Sequence, residues 1–380
     1  MIAFKGMNGP GFPTARAVAP RIKEHFIRYL AAGVPGAPPA PLTEDIEAVI
    51  DAGFWASLKR EEGYIPKISL ALVPPEAVTR PMFFAHPLTL DPQKLVRLAP
   101  AVERPGIHLG VWRREGRLEV WGTTRSIPRS SFVLEVAAPG LLVVKHHRGD
   151  AGKYINVAVL EGDQIKLIDE HASTMPDCPA MLSSLLGFSE NGTWNGSVDV
   201  LVDLAVSMRG HGRGGIILIV PGATETWTES IVQPIPYAVL PPYTGLTDLL
   251  ARDAAERGER AWDEELEDTV NAIAGLTAVD GATILNDRCE LLAFGAKITR
   301  RKGWAVVEQA AITEPIEGGE AAVVSTSQLG GTRHLSAAQF VHDQRDALAL
   351  VASQDGRFTM FAWSACEERV HAHRVETLLL

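Results

Sequence analysis

Cysteine is scarce in these 380 residues: Cys178, Cys289 and Cys366 stand far apart, with no Cys-x-x-Cys pair. That argues against a disulfide framework and predicts reduced thiols in a cytoplasmic protein. Long apolar runs are also missing. The aliphatic stretch Ile216–Val220 is far short of the roughly 20 residues that span a bilayer, so no membrane segment is expected. Positive charge is in deficit, with 36 Lys and Arg against 46 Asp and Glu and a net charge of −10. A broad nucleic-acid footprint is therefore not expected, although a local basic site stays open. The opening MIAFKGMNGPGFP has no basic stretch followed by an apolar core and predicts no signal peptide. Neither the Gly-x4-Gly-Lys-Ser/Thr phosphate loop nor His-Glu-x-x-His occurs, which excludes a P-loop enzyme and a zincin.

The composition that remains, 46% hydrophobic and 22% charged, belongs to a chain with ordinary cores, and its length suggests two domains. Residues 15–33 read as an amphipathic helix, and a second helix is expected from an N-cap at Thr43 to about Arg60. KISLALV, IHLGVWRREGRLEVWGT, SFVLEVAAPGLLVVKH and INVAVLEGDQIKLID then read as strands broken by hairpin turns. This predicts an α+β, mainly antiparallel, domain over residues 1–196, with the loop SENGTWNGS as its boundary. Beyond it come a helix near 198–208, a buried strand at 214–222, a long charged helical stretch near 246–275 and further strands to 363. Strands alternating with helices predict an α/β domain over 197–365, with a mixed central sheet flanked by helices. Residues 366–380 read as a peripheral tail.

Several motifs carry no chemistry. Gly210-x-Gly212-x-x-Gly215 matches a dinucleotide fingerprint on paper but precedes a strand instead of following one. His146-His147 and His371-x-His373 lack partners at metal-site spacing, Cys289 lacks a His partner, and WDEELED reads as a solvated helix face. Trp112 and Trp121 read as core tryptophans, with a pocket lining as the alternative.

Two stretches remain. Asp280-Gly281-Ala282 puts a carboxylate and two minimal side chains at the edge of a buried strand. It is either a plain turn or a place where a hard cation and a ligand approach the backbone. LGGTRHLSA offers Gly330 and Gly331, then Thr332 as an N-cap, Arg333 and His334 at the start of a helix. Either this is a capped helix with a surface Arg and His, or exposed amides and a guanidinium await a phosphate.

In order, these stretches resemble the diadenylate cyclase (DAC) domain family. GGIILIVPG is similar to its opening strand, TAVDGATILND to its Asp-Gly-Ala strand and LLAFGAKI to the strand that follows. GGTRH is similar to its Gly-Thr-Arg-His motif, and DALALVASQDGRFTMF to its closing strand pair. The resemblance spans residues 200–363 and implies synthesis of cyclic di-AMP from two ATP by two domains meeting face to face in a homodimer. It further implies that Asp280 holds Mg²⁺ or Mn²⁺ and helps activate a 3′-hydroxyl, and that Gly281 and Ala282 let the nucleotide pass. Gly331, Thr332, Arg333 and His334 would bind phosphates, with Ser353 at the same site. One departure stands out: Leu335 occupies the position of the family's second arginine, which points to a nucleotide-binding protein without turnover as the alternative. Arg345, Lys297 and Arg300 are the cations available to replace it. The first 195 residues are similar to soluble sensor-type regions, with an unknown ligand.

Overall fold

The computed structural model describes residues 11–31, 39–147, 154–169, 196–253, 255–258 and 260–380. The chain divides into two compact units, Met1–Ile168 with the terminal leucine, and Asp169–Leu379. The expected boundary loop at 189–197 lies outside the described residues except for its last two positions.

In the first unit, helices α1 (Pro13–Ala31), α2 (Thr43–Ser57) and α3 (Pro92–Val102) accompany eight strands: β1 (Ile68–Leu72), β2 (Met82–Thr89), β3 (His108–Arg114), β4 (Arg117–Thr124), β5 (Phe132–Ala138), β6 (Leu141–His147), β7 (Tyr154–Glu161) and β8 (Gln164–Leu167). The sheet order is β2-β4-β3-β1-β5-β6-β7-β8, antiparallel except for the β1–β3 pair. Period-two alternation sorts the strands: Leu70, Leu109, Val120, Phe132, Leu134 and Val144 share one core with Ile22 and Phe26 of α1, Ile50 of α2 and Leu95 of α3. Thr43 is the first helical residue, not the cap. Leu42 occupies the N-cap without a side-chain bond, while Glu44 and Asp45 in the first turn suit the helix dipole. Trp121 is 5% exposed and its Nε1 donates to the Val73 carbonyl at 3.0 Å, which makes it a core residue.

The second unit has a nine-stranded mixed sheet. Its strands are β9 (Gly215–Val220), β10 (Tyr237–Tyr243), β11 (Ala282–Asn286), β12 (Leu291–Ala296), β13 (Gln309–Thr313), β14 (Ala322–Ser325), β15 (Leu348–Ala352), β16 (Phe358–Ser364) and β17 (Arg369–Arg374). They lie in the order β10-β12-β11-β9-β15-β16-β17-β13-β14. Helices α4 (Gly196–Gly210), α5 (Gly245–Ala251), α6 (Arg260–Leu276) and α7 (Thr332–Asp343) complete it. Ile216, Leu218 and Val220 of β9 pack with Ala337, Phe340 and Val341 of α7, so Ile217 and Ile219 face the other side.

Two expectations are corrected here. The charged stretch near 246–275 is two helices, α5 and α6, because the Arg252-Asp253 segment leaves the helical path after Ala251. Residues 366–380 are not a peripheral tail. Arg369–Arg374 forms β17 inside the sheet, between β16 and β13, with its four central residues buried. Its alternation of His and small apolar residues disguises a fully buried strand as a polar end.

Two outcomes follow from the first unit. A Cβ on Gly110 would stand 2.0 Å from the Trp121 ring, so Gly110→Ala must displace the indole. It is expected to cost about 2 kcal/mol, read as a lower urea midpoint at unchanged slope. His108 is 1% exposed between the Ser69 and Tyr154 hydroxyls, each 2.7 Å from one ring nitrogen, and burial pushes its pKa from 6.5 down to about 4. The unfolded chain therefore binds the proton first as pH falls. Its contribution is complete above pH 6.5 and is lost toward pH 4, by up to about 3 kcal/mol. Urea titrations across that range should show a smaller acid loss in His108→Gln than in the parent protein.

Candidate functional site at one end of the second sheet

β9 and β11 run parallel and in register, Ala282 beside Ile216, so Gly214 and Gly281 end at the same edge of the sheet. β15 runs antiparallel to β9, with Ala352 opposite Gly215, and delivers Ser353 to that edge. β12 runs antiparallel to β11, with Ala296 opposite Ala282, and delivers Lys297. Helix α7 packs on β15 and is joined to it by residues 344–347, so it runs back and its first turn returns to the end of β15. One edge thus collects residues from 214 to 355.

Gly331–His334 and Ser353–Asp355 line an open pocket of about 310 Å³ there. Gly331, not Thr332, is the N-cap of α7, and no side chain caps the helix. The first intrahelical donors are the amides of His334 and Leu335, both to the Gly331 carbonyl. The Thr332 and Arg333 amides precede them at the positive end of the helix, a setting that favours an anion.

Glycine is required on both sides of this edge. Gly214 has φ +71°, and a Cβ there would stand 2.8 Å from Arg333 Nη1 and 3.0 Å from the Ala352 carbonyl oxygen. The stretch that mimics a dinucleotide fingerprint thus serves as the bed on which the Arg333 guanidinium rests. Gly281 has φ +127°, and a Cβ there would meet the Gly295 carbonyl carbon at 2.3 Å, so the two strands close up only without one.

Asp280 and Lys297 meet across the β11–β12 end, carboxylate to ammonium 2.5 Å apart, with side chains 95% and 50% exposed. The Lys297 hydrogen bond and charge, and then the Arg333 charge, hold the Asp280 pKa below the usual carboxylate value, so Asp280 is ionised at neutral pH. His334 differs. It is 4% exposed, its ring meets Phe361 edge-on at 6.0 Å, and a Cβ on Gly330 would stand 2.7 Å from its Nδ1. Burial depresses its pKa, Arg374, Arg357 and Arg333 push the same way, and Asp355 opposes them. The imidazole is therefore neutral at neutral pH and offers one donor and one acceptor, not a charge.

As a metal ligand set, the edge provides two separate carboxylates: Asp280, paired with Lys297, and Asp355, paired with Arg357 at 3.4 Å. Among the described residues no group of three or more His, Cys, Asp or Glu could hold a metal ion. A single exposed carboxylate suits a Mg²⁺ or Mn²⁺ that arrives with phosphate oxygens and keeps several waters; it does not suit a resident metal.

The structure brings Asp280, Gly281, Arg333, Thr332, His334 and Ser353 to this one edge. Ala282 lies one step inside, buried in β11. Of the cations named as replacements for an arginine at 335, only Lys297 pairs with a site residue. Arg345 stacks on Trp363 at 4.1 Å and on Trp304 at 5.3 Å, and Arg300 is exposed on the segment after β12. Gly214, Gln354 and Asp355 join the site although the sequence does not assign them to it, since only the strand pairing makes them neighbours. Cys289 is 2% exposed and burial raises its thiol to about 11, which excludes thiolate chemistry. In the acidic run, Trp262 and Leu266 are buried while Asp263, Glu264, Glu265, Glu267 and Asp268 face solvent.

Against known protein families, residues 36–125 match a domain described as "Probable sensor domain DACNV". That stretch covers α2 to β4, in the first unit. No curated protein matches the chain. Among the described residues, no helix is long and apolar enough to cross a membrane.

A Cβ at position 214 meets the Arg333 guanidinium and the Ala352 carbonyl oxygen, and the positive φ adds backbone strain. Gly214→Ala is therefore expected to weaken binding of inorganic tripolyphosphate about tenfold by calorimetry and to lower the urea midpoint by the equivalent of about 1 kcal/mol.

Proposed function

We propose that the chain is a diadenylate cyclase whose N-terminal unit regulates it. The observation that carries this reading is the meeting, at one sheet edge, of an ionised Asp280 flanked by Lys297 and Arg333 with a helix start whose amides face a pocket. The sensor-domain match over residues 36–125 fits a regulated enzyme.

In this reading the Thr332 and Arg333 amides, the Thr332 hydroxyl and the Arg333 guanidinium grip the triphosphate of one ATP. Gly281 keeps the backbone low enough for the nucleotide to lie against it. His334, neutral, donates one ring hydrogen bond to a phosphate oxygen without adding charge. Ser353 supplies a hydroxyl on the opposite wall of the pocket. A second copy brings the other ATP. The 3′-oxygen of one nucleotide bonds to the α-phosphorus of the other, the bond from that phosphorus to pyrophosphate breaks, and the hydroxyl proton leaves toward the Asp280 carboxylate. Repeating the step in the other direction closes the ring. A Mg²⁺ or Mn²⁺ held by Asp280 would supply Lewis-acid polarisation of the α-phosphate. The protein's share is positioning and charge.

A second reading is favoured by Leu335, which is 37% exposed in the first turn of α7 where the family carries an arginine. With one cation fewer, the same pocket would bind ATP or cyclic di-AMP as a receptor without turnover.

Incubation of the full chain with ATP and Mn²⁺, followed by mass spectrometry, decides between them. Cyclic di-AMP is expected from the parent protein. Asp280→Asn should lower it at least 100-fold while leaving the urea midpoint unchanged, because the side chain is 95% exposed. ATP bound to a dimer that yields no product would give the receptor reading.

A further inference from the structure

Within the nucleotide-site reading above, on which this inference rests, we propose that Lys297 is a phosphate-positioning residue that holds Asp280 in the absence of metal and passes to the triphosphate when a metal–nucleotide complex arrives.

The argument starts from what surrounds the carboxylate. Asp280 is almost fully exposed, yet its charge is neutralised at contact distance by a single ammonium. Hydrated surface pairs of this kind gain little, since water competes with both partners and both side chains lose rotamer freedom. The pair is thus easily exchanged, and exchange is what a metal at Asp280 needs. A divalent cation on that carboxylate repels an ammonium 2.5 Å from it and competes with it for the same charge. The metal therefore loosens Lys297, and a released ammonium on a flexible four-carbon stem seeks the nearest anion.

With metal alone there is no such anion, and Lys297 competes with the metal for Asp280. With a nucleoside triphosphate there is one. Strand pairing brings Lys297 to the same sheet edge as Gly214, against which the Arg333 guanidinium rests, so phosphates held by Arg333 come within reach of the displaced ammonium. Metal and nucleotide therefore bind as a unit, which agrees with a site whose carboxylates, Asp280 and Asp355, are each paired with a cation and form no cluster of ligands among the described residues. The same transfer places a cation on the phosphates from the β12 side, while the helix side presents Leu335.

The test is a pair of affinities with opposite expected signs. The probes are Mn²⁺ alone, followed by the loss of the free aqueous signal in electron paramagnetic resonance, and Mn²⁺ with α,β-methylene-ATP, followed by calorimetry. Lys297→Met is expected to tighten Mn²⁺ alone about threefold, because the competitor is gone, and to weaken the Mn²⁺–analogue complex about tenfold. Lys297→Arg should stay near the parent protein in both. Lys297 is half exposed, so neither change threatens the fold.

If Lys297→Met weakens both affinities alike, the residue is structural and the proposal is overturned. If it changes neither, Lys297 is idle and the proposal is overturned, while binding by the parent protein keeps the nucleotide-site reading standing. If the parent protein does not bind the analogue at all, that reading falls and this inference falls with it.

Discussion

The parallel pairing of β9 with β11 is the constraint on which the second unit depends. Their register places Ile216 beside Ala282, and every residue of interest is counted outward from that pair. Once the two strands share an edge, the antiparallel neighbours β15 and β12 must deliver their ends to it. The helix before β15 must then begin there as well. The edge is the amino-terminal end of the parallel pair, whereas open α/β sheets usually receive ligands at the carboxyl ends. The reason is local. The helix that presents free amides leads into an antiparallel strand, so its N-terminus lies at the opposite end from that of a helix in a parallel crossover. The carboxyl end of the pair is closed instead by turns in which the Asp287 carboxylate accepts from the Gly222 amide and Asn286 donates to Glu290.

This geometry explains which parts were legible beforehand. The strands β9, β11, β12, β15 and β16 announce themselves as short aliphatic runs between turn residues, and α7 by its Gly-Gly lead-in. Asp280 and Arg333 stand out because a carboxylate beside two minimal residues, and a guanidinium after two glycines, are unusual local chemistry. The residues that escaped detection lack such a signature. Gly214 has no local signature because its partner, Arg333, is over a hundred residues away. β17 was hidden by its histidines: His371 and His373 are 3% and 2% exposed, and the latter's Nδ1 is 2.7 Å from the Thr313 hydroxyl. Burial of a polar strand depends on a neighbour that local patterning does not show. Thr43 and Thr332 each sit one residue inside the helix whose cap their residue type suggests, and neither helix has a side-chain cap.

Charge is distributed unevenly in a way that net charge conceals. The chain carries −10 overall, yet Arg333, Arg357 and Arg374 all act on His334, and Lys297 and Arg333 both act on Asp280. A locally cationic edge on an acidic protein favours a small, highly charged anion over a polyanion. A long nucleic acid would feel the whole surface, whereas a triphosphate feels the few ångströms around its phosphates, within a Debye length of about 8 Å. The neutral state of His334 fits the same arrangement. A charged His334 would add a further cation to Arg333, Arg357, Arg374 and Lys297, and burial against Phe361 keeps the ring neutral while leaving it one donor and one acceptor.

The exposure of Asp280 sets the final condition. Catalytic electrostatics are effective where water is excluded, and a carboxylate 95% open to solvent is screened by the medium it would have to act through. Its partner Lys297 and the pocket beside Arg333 share that openness. The groups therefore form one open wall, with charge and little cover. Chemistry between two bound nucleotides would supply that cover itself, since a second copy carrying its own nucleotide against this edge would displace the water that one chain leaves in place. In the proposed site the same openness would let a metal reach Asp280 and Lys297 move away from it. A more enclosed edge would strengthen the ion pair and slow the proposed exchange.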